Sequence, residues 1–377
     1  MTAHHLVLVG GGHAHVQVIR ALAERPEPGL TVTLVTDRPM TPYSGMLPGH
    51  VAGIYSRAEM HIDLGRLARV CGVTLIQSAA TAIDRDRRQV KMQDGTVLSY
   101  DTLSLNIGIT PDLSAIVGAE HHGIAVKPLS RFLDRLDGLL AEAKHPDGPR
   151  RILLVGGGAA GVELALALRA RLRTVKATSR PFWIGLAAGN GLVASLNPGV
   201  QQRVRAALAR QEVTVLDDFR ATEVMVDGAR AEDGRFIEAD AVLISTAARA
   251  PAWLQTIGLR TDAGGFVQTS RELVTLDDPS IFAVGDCATV HEDPMPKAGV
   301  FAVRQGAALT RNLRRRVRGR PLMPHRPDRD FLSLLMTGDG SAIAGRGKWF
   351  AVEGKWVWRW KDWIDRRFMR RFSDFRL

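Results

Sequence analysis

Two short runs of unbroken apolar residues, each leading directly into glycines and then into a helical pattern, organise this chain. Leu6-Val7-Leu8-Val9 enters Gly10-Gly11-Gly12, a helix is predicted from His13 to Ala23, and a second run, Thr31-Val32-Thr33-Leu34-Val35, ends at Thr36-Asp37. Runs that are apolar at every position fit strands covered on both faces of a parallel sheet. The pattern recurs at Ile152-Leu153-Leu154-Val155, which enters Gly156-Gly157-Gly158-Ala159-Ala160-Gly161-Val162-Glu163. A helix is predicted there over Glu163–Leu172, then a strand over Thr174–Ala177 that ends in Thr178-Ser179-Arg180. Near the far end, Lys348–Val352 and Lys355–Trp358 read as a hairpin around Glu353-Gly354. After it Trp360, Trp363, Ile364, Phe368 and Phe372 fall at helical spacing, with Lys361, Arg366, Arg367, Arg370 and Arg371 on other faces.

The glycine loops carry the chemistry. Glycines between a strand and a helix allow a tight turn and close backbone approach, and the helix N-terminus offers free N–H groups to a pyrophosphate. The second loop has the full G-x-G-x-x-G spacing in the right context. The first places His15 where the third glycine belongs, so its helix must sit differently against the strand. Asp37, ending the second strand of the first unit, suits a ribose hydroxyl. The corresponding place in the second unit holds Ser179-Arg180, which favours a 2′-phosphate and leaves NADH or NADPH open. His13 and His15 do not make a metal site, because residues two apart on a helix do not face each other. No metal is expected.

Composition narrows the class. The chain has 377 residues, 45% hydrophobic, with 37 glycines, which fits more than one globular core. The net charge of +11 sits in the tail: residues 1–310 hold 32 basic and 32 acidic side chains, residues 311–377 hold 18 and 7. A neutral body with a basic tail argues against nucleic acid as partner. The six arginines of 311–320 lack interleaved aromatics and read as a solvated helix end. Five of the seven tryptophans lie between 349 and 363, and a basic helix with an aromatic stripe suits a membrane interface, internal packing or a homodimer contact. No run approaches the roughly 20 apolar residues of a membrane span, and the N-terminal residues lack a signal-peptide pattern. The expected location is the cytoplasm, with the inner face of the membrane as an alternative.

Further residues carry a family resemblance. Ser280-Ile281-Phe282-Ala283-Val284-Gly285-Asp286-Cys287-Ala288 resembles the third FAD motif of the pyridine nucleotide–disulfide oxidoreductase superfamily, in which the aspartate, here Asp286, holds the ribityl chain. Tyr100 to Leu103 and Gly108-Ile109-Thr110-Pro111 resemble the strand and turn that leave its FAD domain, with Asn106-Ile107-Gly108 replacing the usual Ala-Thr-Gly. A similar turn over 244–251 would close the inserted domain. The loop Thr41-Pro42-Tyr43-Ser44-Gly45-Met46-Leu47-Pro48-Gly49 has no redox cysteine pair, and Cys71 and Cys287 share no motif. That loop resembles type II NADH dehydrogenases. Together with GGGHAHV, AVKPLSRF, KAGVFAVRQG and WRWKDWIDRRFM, it is similar to the flavoprotein module found fused to selenide, water dikinase.

The expected fold class is α/β, with two Rossmann-like dinucleotide-binding domains and a small C-terminal α+β region. The FAD domain would span 1–113 and 251–320, the inserted NAD(P) domain 114–250 and the C-terminal hairpin and helix 321–377. FAD would be held by Gly10, Gly12, His13, Ala14, Asp37, Thr41, Pro42, Gly108 and Asp286. NADH or NADPH would be held by Gly156, Gly158, Ala160, Gly161, Glu163 and Arg180. The expected activity is hydride transfer from NAD(P)H to FAD and on to an unidentified electron acceptor. A helix over Lys297–Asn312 would point at the flavin ring, with Lys297 and Gln305 as candidates at the flavin or acceptor site. The glutamine by which quinone-reducing relatives mark that helix is replaced near Val300, which weighs against quinone. The competing reading is a flavin-bound sensor or partner subunit with little turnover.

Overall fold

In the computed structural model, which describes residues 3–175, 181–246 and 248–375, the apolar runs form two five-stranded parallel sheets. The first has the order Ile281–Ala283, Thr102–Leu105, His4–Val9, Leu30–Thr36, Thr74–Gln77, with Leu8 facing Leu34 on one side and Ser104 on the other. Alternation decides which layer each side chain joins. Leu6 and Leu8 pack with the first glycine-loop helix, His13–Glu24, while Val7 and Val9 pack on the opposite face with Leu103, Leu105 and Ile281. The second sheet has the order Gly123–Ala125, Ala241–Ile244, Arg151–Val155, Trp183–Ala188, Thr214–Asp217. Between the sheets the chain crosses twice, and the crossings pair antiparallel, Thr110 opposite Arg249 and Pro111 opposite Ala248. Arg249 Nε donates to Asp112 across this junction at 2.6 Å.

Two expectations need correcting here. Among the described residues, the strand that follows the second glycine-loop helix, Ala159–Leu172, is Trp183–Ala188; of the expected strand Thr174–Ala177, residues 176 and 177 lie outside the described residues. Thr174 and Val175 close the helix instead, their N–H groups donating to Arg171 O and Leu172 O. Nor do Lys348–Val352 and Lys355–Trp358 form a hairpin. Phe350–Gly354 pairs with Ala342–Arg346, which pairs in turn with Ser333–Met336, and a helix begins at Lys355 and runs to Ser373. The residues that look like a second strand are its first turn, because burial recurs at Val357, Lys361, Asp365, Phe368 and Phe372, steps of three and four.

This C-terminal helix is docked on the rest of the protein by one buried lysine, whose charge is paired within the helix, as well as by apolar contact. Lys361 Nζ donates to Asp365 Oδ2 at 2.9 Å and to Gly45 O at 2.8 Å. Burial opposes the charge on Lys361, yet Asp365 and Glu163 outweigh it and hold the ammonium above its ordinary pKa. Tyr55 OH donates to Asp362 at 2.6 Å, and Phe368 stacks on Tyr43 with ring centroids 4.6 Å apart. The aromatic stripe is therefore divided. Phe368 and Phe372 are internal, whereas Trp356 and Trp363 are 56% and 51% exposed.

Glu163, expected at the nucleotide, has its carboxylate at this junction. Its carboxylate accepts from Met336 N at 2.8 Å, on the side of the second glycine-loop helix that meets the C-terminal sheet. Burial pushes its pKa up to about 7, with Lys361 and the Met336 N–H opposing the rise and Asp365 adding to it.

Two outcomes follow from this docking. Removing one partner of a buried pair costs about 3–5 kcal/mol, so Lys361→Ala should lower the denaturant midpoint and expose the C-terminal helix to limited proteolysis. Lys361→Met with Asp365→Leu should recover most of the loss. A wild-type midpoint for Lys361→Ala would show that the pair does not hold the helix. For Glu163 the folded pKa lies above the unfolded one, so its contribution to stability is fullest below about 4.5 and is lost as pH rises through about 7. The stability difference between wild type and Glu163→Gln should therefore change across that window. A constant difference from pH 5 to 8 would refute the raised pKa.

Candidate functional site

The first glycine loop opens on a cavity of about 210 Å³ that gathers Gly10, Gly12, His13, Asp37, Thr41, Pro42, Gly108 and Asp286. Gly10 adopts φ +95°, and a Cβ there would lie 2.7 Å from Ile107 Cγ2. The helix does accommodate His15. Its buried imidazole bridges Gly10 O at 2.7 Å and Ser104 Oγ at 2.8 Å, tying the loop to the neighbouring strand. Burial pushes its pKa down to about 4, against the bond to Gly10 O, so the ring is neutral at physiological pH. Ala14 does not line the cavity; its N–H is taken by Asn106 Oδ1 at 3.1 Å.

His13, at the start of the helix, has a buried Nε2 without a partner. Its ring lies edge-on to Tyr43, 5.3 Å between centroids. Burial and then Lys127 push its pKa down to about 4, with Asp286 and the Pro42 backbone opposing, so His13 presents a neutral imidazole. Lys127 Nζ stands 3.9 Å from Asp286 Oδ2. An orphaned polar atom, a carboxylate with a lysine beside it, and Gly108, whose Cα faces open space, fit a polar cofactor with a phosphate chain.

The second loop opens on a larger cleft of about 600 Å³, lined by Gly156, Gly158 and Ala160 among others. Gly156 has φ +127°, and a Cβ would lie 2.7 Å from Ser245 O. Gly158, which caps the helix, has nothing within 4 Å of where its Cβ would be, so the N-terminus of Ala159–Leu172 is open to a ligand. Gly161 does not line the cleft; a Cβ there would collide with Gly156 O, so it serves helix–loop packing. Arg180 lies outside the described residues. The second strand ends instead at Ala188, followed by Gly189, Asn190 and Gly191 at the cleft. Ile109 and Lys127 line both cavities, so the two sites meet there.

Lys297 and Gln305 take supporting positions. Lys297 Nζ donates to Ala288 O and, at 2.8 Å, to Thr289 Oγ1, and lies 4.1 Å from the centre of the Phe266 ring. Burial lowers its pKa, with Cys287, Asp262 and Asp286 opposing. Gln305 Oε1 accepts from Gly285 N at 2.6 Å and fixes the turn that presents Asp286. The helix carrying Gln305 runs Gly299–Val317, and Gly299 and Ala302 in its first turn face the first cavity. Cys71 and Cys287 are free thiols, each pushed up to about 11 by burial, so neither is an activated thiolate. Among the described residues no cluster could hold a metal ion. Sequence reasoning passed over Asn106 and Lys127. An amide side chain replacing the usual small residue marked the first, and the second stood inside the AVKPLSRF motif without a role assigned to it.

Residues 4–306 match the family described as pyridine nucleotide-disulphide oxidoreductase. The chain is 25% identical over 364 residues to demethylphylloquinone reductase NdbB of Synechocystis sp., covering 91% of this chain and 87% of that protein. It is 22% identical over 334 residues to the NADH dehydrogenase-like protein YutJ of Bacillus subtilis, covering 88% of each. In fold it is similar to the sulfide:quinone oxidoreductase of Aquifex aeolicus, with a TM-score of 0.81 at 18% identity over 98% of this chain and 92% of that one. It is also similar to NDH2 from Plasmodium falciparum in complex with NADH, with a TM-score of 0.78 at 13% identity over 97% and 98%. The chain belongs to the pyridine nucleotide-disulphide oxidoreductase family, as an FAD-dependent NAD(P)H oxidoreductase without a redox-active cysteine pair.

Proposed function

We propose that this oxidoreductase passes electrons from NAD(P)H through FAD to a quinone-class acceptor, reached from a lipid surface on which its C-terminal helix rests. The observation that carries the reading is the two-sidedness of that helix. Its inner face packs behind the first cavity, with Phe368 stacked on Tyr43 and both rings against His13, which lines it. Its outer face presents Trp356 and Trp363 with Arg359, Arg367 and Arg370, all exposed. Arg367 lies over the Trp363 ring at 5.0 Å. Tryptophan at the headgroup level and about 1 kcal/mol per basic side chain near anionic lipid suit such a face. No helix among the described residues is long and apolar enough to cross a membrane, so contact would be peripheral. The helix glutamine of quinone-reducing relatives is replaced near Val300, so the quinone reading rests on the C-terminal helix. The name of the relative NdbB gives it additional support.

When bound, FAD would supply the chemistry of accepting hydride from a reduced nicotinamide and passing electrons on. The chain would supply the positioning. Gly10, Gly12, Gly156 and Gly158 would bring bare backbone to the two pyrophosphates, Asp286 would hold the ribityl hydroxyls, and Asp37 the adenosine ribose. Lys127, at the meeting of the cavities, places a positive charge where negative charge accumulates on reduction. The start of Gly299–Val317 adds its dipole to the same end.

Three outcomes test this reading. NADH or NADPH should bleach the bound flavin rapidly under anaerobic conditions, and a flavin that neither nucleotide reduces would sink the enzyme reading. Asp286→Ala should bind FAD about 10–100-fold more weakly, the value of a hydrogen bond to a charged group; full occupancy in the purified variant would refute the assignment. Trp356→Ala with Trp363→Ala should lose at least tenfold in binding to phosphatidylglycerol vesicles and in turnover of a long-chain quinone embedded in them, while turnover of a short soluble quinone is unchanged. Unaltered vesicle sedimentation, or a wild type that forms dimers which this pair of substitutions dissolves, would overturn the membrane reading.

A further inference from the structure

Among the described residues, the second cleft holds no acid that would recognise a free adenosine 2′-hydroxyl. Strand Trp183–Ala188 ends beside the glycine loop: a Cβ on Gly157 would lie 2.9 Å from Ala188 Cβ, and Val193 N donates to Gly157 O at 2.8 Å. Residues 188–191 therefore flank the loop that would take the pyrophosphate, where an adenosine ribose reaches. Ala188 is fully buried and offers a ribose nothing. The charged residues that line the cleft, among those described, are Lys127, Lys297 and Arg220.

We propose that Arg220, steadied by Asn190, recognises the adenosine 2′-phosphate and makes NADPH the preferred electron donor. This inference rests on the reading that the second cleft binds the nicotinamide nucleotide. Arg220 follows the neighbouring strand Thr214–Asp217, and its backbone lies directly on Gly189, whose Cβ would stand 2.8 Å from Arg220 Cα. A side chain at 189 would push that segment away from the strand end. Arg220 Nη2 donates to Asn190 Oδ1 at 3.1 Å, which aims the guanidinium across the ribose end of the cleft. Among the described residues it forms an ion pair with Glu232, 3.7 Å away, with both side chains more than 60% exposed. Such a pair is weak, whereas a phosphate monoester carries about −1.5 to −2 charges at pH 7 and meets arginine with two parallel hydrogen bonds. The phosphate therefore displaces Glu232.

Flavin bleaching measured with both nucleotides on the FAD-loaded protein decides the matter. Wild type should show a kcat/KM at least tenfold higher with NADPH than with NADH. Arg220→Ala should lose at least tenfold with NADPH and less than threefold with NADH. Asn190→Asp, nearly isosteric, should neutralise Arg220 and repel the phosphate, lowering NADPH use while sparing NADH. Equal losses with both nucleotides would assign Arg220 to adenine contact, and a wild type that prefers NADH would overturn the inference outright. Should neither nucleotide bleach the flavin, the electron-transfer reading fails, and calorimetry still tests Arg220. Adenosine 2′,5′-bisphosphate should bind wild type at least tenfold tighter than ADP and lose that advantage in Arg220→Ala; no such advantage in wild type refutes it.

Discussion

Asn106 is the point on which the first site depends. Its Oδ1 accepts from Ala14 N and His15 N, its Nδ2 donates to Val284 O at 3.1 Å, and its backbone O accepts from Gly12 N. One buried residue thus joins the glycine loop, the start of the first helix and the strand that leads to Asp286. A small apolar residue there would leave two helix N–H groups and a carbonyl to find other partners, in a place closed to water. Orphaned buried groups cost about 1–3 kcal/mol each. The departure from Ala-Thr-Gly is therefore a different way of closing the site.

The two glycine loops meet the same constraint by different means. In each, the helix must approach its loop closely enough for the strand, turn and helix to pack. At Gly161 the approach is so close that a Cβ would strike Gly156 O. At the corresponding place in the first loop, His15 turns a clash into a hydrogen bond with Gly10 O and gains a second bond at Ser104. Both solutions leave the first turn of the helix beside a ligand cavity. They differ in what they require elsewhere: the first needs Ser104 on the adjacent strand, the second needs nothing beyond the absence of a side chain.

The sequence made the sheets legible because unbroken apolar runs ending in glycine have few structural solutions. It misled where a local pattern had a competitor. Thr174–Ala177 looked like a strand, but Thr174 and Val175 satisfy carbonyls at the end of the preceding helix. Trp183–Ala188 carries Gly185 and no β-branched residue apart from Ile184, so its pattern is weaker than its burial. Glu163 fits a nucleotide motif by position, yet lies on a helix whose other face meets the C-terminal sheet, and the carboxylate points there. The tail alternated plausibly as a strand for four residues, and only the continuation of burial through Phe372 distinguishes a helix. The role of Lys127 could not be found locally at all, because it arises where two cavities built from distant segments meet.

The docking of the C-terminal helix shows why a charge is buried in an otherwise apolar seam. Val357, Phe368, Met369 and Phe372 would accept the helix displaced by a turn at modest cost, since apolar contact is not directional. Lys361 would not. Asp365 would travel with it on the same helix, but Gly45 O meets the ammonium in one register only, and displacement would leave a donor and a carbonyl unpaired away from water. Gly45 belongs to the loop that includes Tyr43, so the same bond that fixes the helix also fixes where Phe368 meets Tyr43, behind His13 of the first cavity. Glu163 brings the second glycine-loop helix into this arrangement through its electrostatic coupling to Lys361. A surface helix, the loop over one cavity and the helix opening on the other are thereby held in a single geometry.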